Sequence, residues 1–317
     1  MKAAATKRKL SSDSGVPGSG AFRSLIVPLD LSPSSDRILG RLSLLSLADD
    51  ARVTLLHVVP GSLLPRERQS AERDAKKTLA DEVRHLRTQL DKKVRIEAVV
   101  KVGTAAKEIA ACATDRKAEL VVMGRCGRRA LRDAFLGSTA ERVVRQTKLP
   151  VLVVRLAARA AYGRPALALD LDQAAHDVVR LMLLVLPRPL PRVEVIHAVD
   201  IPYHGLSYRS LSEDETEERK HELRSNATDQ LATLLATALA KANVRPEDGP
   251  SWRTRVLYGS PRTVVEKAVK KAETDLLVLG THGYSGAAYV LLGTVAGDLL
   301  RAAECDVLMV PPVRPNE

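Results

Sequence analysis

Two stretches of this sequence carry glycines at a spacing suited to holding an anion. Residues 124–139 read GRCGRRALRDAFLGST, and residues 280–295 read GTHGYSGAAYVLLGTV. Both obey G-x2-G-x9-G-[ST], through Gly124, Gly127, Gly137 and Ser138 in one and Gly280, Gly283, Gly293 and Thr294 in the other. With glycine at about 7% of residues, one chance match has a probability of about 0.01, and two are far rarer. Glycine lets backbone N–H groups come close to a ligand and tolerates positive φ. The closing Gly-[ST] falls where a helix is expected to begin, and the free N–H groups and dipole of a helix start favour negative charge. Ser138 and Thr294 can cap that helix or offer their hydroxyls to a phosphate. The duller alternative is that these glycines only turn a strand into a helix. The pattern is not a Walker loop, which needs G-K-[ST], nor the dinucleotide fingerprint G-x-G-x-x-G.

Other chemistry is sparse. No nucleophile–base pair stands out, and no carboxylate cluster for a catalytic metal beyond Asp30 and Asp170, so neither a catalytic nor a metal-ligating residue is assigned. His57 and His197 sit inside apolar strand ends and read as hydrogen-bonded packing histidines. Cys126 lies in the first glycine loop beside Arg125, Arg128 and Arg129, where a thiolate is favoured. It is read as an ordinary loop cysteine or a redox centre.

The elements that must position the glycine loops occur twice in the same order. In the first copy, short apolar strands are expected at Leu25–Leu29, Val53–Val59, Val94–Val102, Leu120–Met123 and Val151–Val154. Helical spacing lies between them: Pro33–Leu47, Arg68–Leu90, Gly103–Ala113 and Ser138–Gln146. In the second copy the strands fall at Ala166–Leu169, Val193–Val199, Arg253–Leu257, Leu276–Leu279 and Val307–Val310, and His197 takes the place of His57. Strands alternating with helices predict an α/β fold. The expectation is two tandem, doubly wound, mainly parallel five-stranded sheets with helices on both faces. The domains expected are residues 21–156 and 165–313. A flexible basic tail of residues 1–20 precedes them, and a linker at 157–164 joins them. The last strands of the two copies are expected to pair within the chain and hide two sheet edges.

One feature breaks the repeat. Asp30 and Asp170 are 140 positions apart, but Gly103 and Gly259 are 156 apart, so the second copy holds 16 extra residues after its second strand. Tyr203–Glu218 is the expected place. Its position at the carboxyl end of a strand suggests a partial lid or docking arm, with Tyr203, His204 and Tyr208 as ligand contacts. A tolerated surface insertion is the alternative.

Composition narrows the classes. The chain is 45% apolar but only 3% aromatic, a diet of Val, Leu, Ile and Ala that suits buried parallel sheets. No apolar run approaches membrane-spanning length, and the N-terminus does not read as a secretory signal. Three cysteines, Cys112, Cys126 and Cys305, form no C-x-x-C pair, which suits a reducing, cytoplasmic setting. The formal charge of +11 is uneven: residues 1–158 carry a net +13 and residues 159–317 a net −2. The basic charges are scattered without aromatic partners, so nucleic acid is not an expected partner.

Over about 290 residues the chain resembles the universal stress protein family. The resemblance rests on VPLDLS at the first strand, LLHVV at the second, VVMGRCG and LVLGTHG at the fourth, and LGSTAERVV and LGTVAGDLL beyond it. In nucleotide-binding members the carboxylate ending the first strand recognises the adenine end, the second strand's end lines the base pocket, and the glycine motif holds ribose and phosphates. The resemblance therefore implies Asp30, Val58, Met123, Gly124, Gly127, Gly137, Ser138 and Thr139 as one adenine-nucleotide site. It implies Asp170, Ala198, Leu279, Gly280, Gly283, Gly293, Thr294 and Val295 as the other. ATP or another adenine nucleotide is the implied ligand, with Mg²⁺ arriving on the phosphates.

Three departures matter. Pro28 becomes Ala168 in the second copy, Val58 becomes Ala198, which loosens the base pocket, and Arg125-Cys126 replaces the usual Thr/Ser-His pair. Both sites look competent. The expected function is a nucleotide-dependent sensor or switch in a stress response, built as an intramolecular pseudo-dimer. A further homodimer and an unknown protein partner are also expected. The alternatives are a slow ATPase or adenylyl-transferring enzyme, and a structural pseudo-dimer with neither site filled.

Overall fold

The computed structural model describes residues 21–125, 139–172, 175–199, 213–281 and 292–312. In the first half the strands are β1 (Phe22–Pro28), β2 (Leu47–Pro60), β3 (Arg95–Gly103), β4 (Leu120–Gly124) and β5 (Val151–Val154). Between them lie α1 (Ser35–Leu42), α2 (Pro65–Arg87), α3 (Ala105–Asp115) and α4 (Thr139–Gln146). The second half repeats the series: β6 (Pro165–Ala168), α5 (Ala175–Val185), β7 (Val193–Val199), α6 (Glu213–Lys241), β8 (Trp252–Tyr258), α7 (Pro261–Lys271), β9 (Leu276–Gly280), α8 (Thr294–Ala302) and β10 (Asp306–Val310).

The strands form one ten-stranded sheet in the order β3-β2-β1-β4-β5-β10-β9-β6-β7-β8. Every pairing within a half is parallel. The halves meet through one antiparallel pairing of β5 with β10, with Val153 opposite Val307 and Val151 opposite Met309. Each half is therefore a doubly wound sheet whose strand order reverses between its first and fourth strands, at β1/β4 and at β6/β9. Ligands bind sheets of this kind at the carboxyl side of that reversal.

Because successive residues of a strand face opposite sides, each strand feeds two cores. Leu25, Val27 and Leu55 face the helices α1 and α2, and the same layer continues through Val178 and Leu231 of α5 and α6. Ile26, Leu56 and Val121 face the other layer, with Ile109, Val143, Val264 and Leu299 of α3, α4, α7 and α8. Both cores run uninterrupted from one half to the other. The repeat also holds at the backbone: Gly103 (φ +155°), the last residue of β3, and Gly259 (φ +131°), the residue after β8, take a conformation that favours glycine.

Two expectations need correction. The helical spacing read from Pro33 to Leu47 ends at Leu42. Leu44 N–H and Leu45 N–H donate to the carbonyls of Arg41 and Leu42, and Ser43 Oγ donates to that of Gly40. These tight bonds close the helix, and Leu47 instead opens β2 opposite Phe22. Nor do the extra residues of the second copy all form an insertion before its helix. α6 has 29 residues against 23 in α2, so the helix itself absorbs six, including the acidic run up to Glu218. Tyr203, His204 and Tyr208 lie outside the described residues.

The stretch read as a linker is packed in place. Asp306, fully buried at the start of β10, takes hydrogen bonds on Oδ1 from the backbone N–H groups of Arg155 (2.7 Å) and Leu156 (2.9 Å). Its Oδ2 accepts from the Tyr162 hydroxyl (2.7 Å) and from Arg41 Nε (3.1 Å). Arg41, on α1, also donates to the carbonyl of Ala160 (2.9 Å), and its guanidinium stacks 3.9 Å from the Tyr162 ring centre. Burial, with Asp306 close by, pushes the Tyr162 phenol well above its ordinary range. The Arg155 side chain donates to the carbonyls of Leu300 and Ala303. On the other face, Glu141 of α4 accepts from Arg301 of α8 at 3.0 Å and from Arg145 at 2.9 Å. Burial opposes the Glu141 charge, but these two arginines outweigh it and hold its carboxyl below the ordinary range. Ion pairs thus cross the junction on both faces of the sheet.

Candidate functional site

At each point of strand-order reversal the chain leaves a cavity. In the second half, the end of β6 supplies Ala168 and the turn residues Leu169 and Asp170. The end of β7 supplies Ile196 to Val199, and the end of β9 supplies Leu279 and Gly280. Pro261 and Val265 close one side from α7. The start of α8 closes another with Gly293, Thr294, Val295 and Ala296. The cavity measures about 670 Å³. Its walls are apolar, its edge carries the Asp170 carboxylate, and one end is a helix start.

That helix start has a particular construction. Gly293 occupies the cap position, so the cap residue itself brings no side chain to the first-turn N–H groups of α8. Those groups have no partner within a helix by geometry, and they make a helix start attractive to anions. Thr294 is the first helical residue rather than the cap that the sequence suggests. Gly293 N–H donates to the Thr281 carbonyl (2.8 Å), and Thr281 N–H donates to that of Val310 (2.9 Å). These bonds tie the two ends of the glycine loop together and to β10.

The first half repeats the plan on a smaller scale. Its cavity of about 140 Å³ is bounded by the β1 end and its turn (Pro28, Leu29, Asp30), by Leu56 to Val58 of β2, and by Met123 and Gly124 of β4. Ser34 at the cap of α1, Ile38 of α1, Ala105 and Ile109 of α3, and Thr139 at the start of α4 complete it. Asp30 Oδ1 accepts from the N–H (3.0 Å) and hydroxyl (2.7 Å) of Ser32, which holds the turn after β1.

Of the residues singled out from sequence, Asp30, Val58, Met123, Gly124 and Thr139 all line the first cavity. Asp170, Ala198, Leu279, Gly280, Gly293, Thr294 and Val295 all line the second. Gly127, Gly137, Ser138, Gly283, Cys126 and His282 lie outside the described residues. The two histidines are packing residues in the sense expected. His57 Nδ1 lies 2.8 Å from the Leu29 carbonyl and His197 Nδ1 lies 2.9 Å from that of Leu169. Each pins the end of the first strand to the second, one residue before the aspartate. Sequence reasoning missed the helical wall: Ile38, Ile109, Pro261 and Val265. Their spacing is that of ordinary core residues, and only the packing turns them toward the cavity.

The comparisons with known proteins agree with this plan. A sequence model of the universal stress protein family matches residues 21–155 and again residues 162–311. A universal stress protein of Mycobacterium bovis is 30% identical over 210 residues, which cover 61% of this chain and 62% of that protein. The chain thus spans less than two thirds of that relative's length. One of Synechocystis is 25% identical over 157 residues, covering 47% of this chain and 97% of that protein. The crystal structure of a universal stress protein from Archaeoglobus fulgidus superposes with a TM-score of 0.66, covering 94% of this chain and 100% of its own. At 15% identity that likeness is one of fold. Two family matches that together take up most of the polypeptide place this chain in the universal stress protein family, with two copies of the family's domain in tandem.

Proposed function

We propose that this chain binds an adenine nucleotide, ATP in the first instance, and acts as a nucleotide-dependent sensor or switch in a stress response. The supporting observation is convergence. Three strand ends and a helix start, separate in sequence, meet around one cavity at the reversal of strand order, and the cap residue of α8 there is a glycine. The apolar wall of Ile196, Ala198 and Leu279 suits a flat base. Asp170, at the rim, is placed to accept hydrogen bonds from base or ribose. The first-turn N–H groups of α8 suit phosphate. Mg²⁺ would arrive with the phosphates, held chiefly by them. A switch needs only that the nucleotide prefer one of two shapes or assemblies of the protein.

A reducing, cytoplasmic setting fits Cys112 and Cys305, both buried free thiols. Among the described residues no helix is long and apolar enough to cross a membrane. The pairing of β5 with β10 uses those two edges within one chain, so further self-association would need another surface. Mass spectrometry of small molecules released from the purified, denatured protein tests the proposal. An adenine nucleotide in stoichiometric amount is expected. Its absence, both after purification and after incubation with millimolar ATP and Mg²⁺, would overturn the reading.

A further inference from the structure

The two cavities share a plan but differ almost fivefold in volume, about 140 Å³ against 670 Å³. Cavities that take small-molecule ligands run to about 300–1,000 Å³. The second lies inside that range and the first well below it. The cause is local. Where the first half has Pro28, Ile38, Val58 and Ile109, the second has Ala168, Val178, Ala198 and Val265. Each exchange removes one or two carbon atoms.

The larger side chains sit where they matter. Ile38 Cδ1 lies 3.2 Å from the point where a β-carbon on Gly124 would stand, so this side chain fills the space beside the first glycine of the loop. Ile38 and Ile109 are each almost fully buried and wall the cavity from opposite faces of the sheet. The aspartates differ as well. Asp30 Oδ1 is already engaged by both the N–H and the hydroxyl of Ser32. In the second copy the place of Ser32 is taken by Asp172, which has no hydroxyl to give, and Asp170 Oδ1 receives the N–H of Leu171 (2.9 Å).

We propose that the two copies are inequivalent: the chain binds one nucleotide, in the second half, and the first cavity, narrowed by Ile38, Val58 and Ile109, is too small for one. This rests on the reading of the second cavity as a nucleotide site. The first copy then serves as a scaffold that holds its partner through β5 and the Asp306 junction. A packed interior resists added volume and tolerates small reductions in it better. Trimming these side chains therefore enlarges the first cavity toward nucleotide size.

Isothermal titration of the full chain with ATP and Mg²⁺ is the test, run on the wild type and two variants, each checked for cooperative thermal unfolding. The wild type is expected to bind one nucleotide. Ala198→Leu, which pushes three more carbon atoms in from the wall read as the base pocket, is expected to weaken that binding at least tenfold. The triple variant Ile38→Ala, Val58→Ala, Ile109→Ala, which removes twice as many carbon atoms as reverting these positions to their second-copy residues, is expected to bind two. Two nucleotides in the wild type, or one whose affinity is untouched by Ala198→Leu, would overturn the inference while leaving the nucleotide reading intact. A folded triple variant that still binds one would overturn the role given to these three side chains. No binding by any of the three proteins would overturn both this inference and the reading beneath it.

Discussion

Gly293 shows how one residue sets both the stability of an element and its chemistry. At the cap of α8 its φ of −59° and ψ of 153° are open to any L-residue, so glycine is not demanded by backbone strain. Its consequence is a helix start whose cap residue has no side chain to compete for the first-turn N–H groups. Gly293→Asp should therefore move two observables in opposite directions. The carboxylate caps the helix and meets its dipole favourably, adding a few tenths to about 1 kcal/mol of stability. The same charge occupies the anion site, and ATP affinity should fall at least tenfold. Thermal unfolding and calorimetry on one preparation check both signs; unchanged affinity in a stabilised variant would remove the helix start from the site. Cys305, beside the junction, supplies a prediction in pH. Burial pushes its thiol up to about 11 from the usual 9.0. The folded state then holds a proton that the unfolded state releases, so this contribution is intact below pH 9 and is lost as pH rises toward and past 11. At pH 10.5 the loss amounts to about 2 kcal/mol. Urea unfolding at pH 7 and pH 10.5 should show the cost of Cys305→Ala shrinking by about that amount, and an equal cost at both values would contradict the burial argument.

At the scale of elements, the parts read well from sequence were those that repeat. Runs such as LIVPL and LLVLG are apolar on both faces because they form strands covered on both sides, and their duplication fixed which glycine loop follows which strand. What escaped were features made by packing between elements. The break after Leu42 was hidden because Leu45 and Leu47 continue the apolar spacing of α1, although Ser43 ends the helix. Ile38 and Ile109 gave only the signal of core residues, so the cavities looked alike in sequence when their helical walls differ. Asp306 looked like the polar residue before a strand; nothing in DVLMV says that Arg41, 265 positions away, will meet it. That junction carries a large prediction. Asp306→Ala leaves Arg41 buried without its carboxylate and should cost about 3–5 kcal/mol. Tyr162→Phe removes one hydrogen bond to the same oxygen and should cost about 1–2 kcal/mol. Because both act through Asp306, the double variant should cost less than the sum, and strict additivity in urea unfolding would show that the three side chains do not act as a unit.

For the whole molecule, tandem duplication solves an edge problem. A half on its own would present β5 or β10 as an open, apolar strand, and such edges recruit other strands. Within the chain they pair with each other and are held by Asp306 on one face of the sheet and by Glu141 with Arg301 on the other. Separately expressed halves, residues 21–158 and 159–312, should therefore self-associate, each through its own last strand. Light scattering coupled to size exclusion checks this, and two stable monomers would contradict it. The carboxyl edge of the sheet, by contrast, stays open where each strand order reverses, and the central claim is that an adenine nucleotide binds there in the second half. Hydrogen exchange on the full chain with and without ATP and Mg²⁺ tests it most directly. The account predicts slowed exchange at residues 196–199, 279–281 and 293–296, with the outer edge strands β3 and β8 unchanged. Identical exchange at those three segments under saturating nucleotide, or protection elsewhere alone, would contradict it.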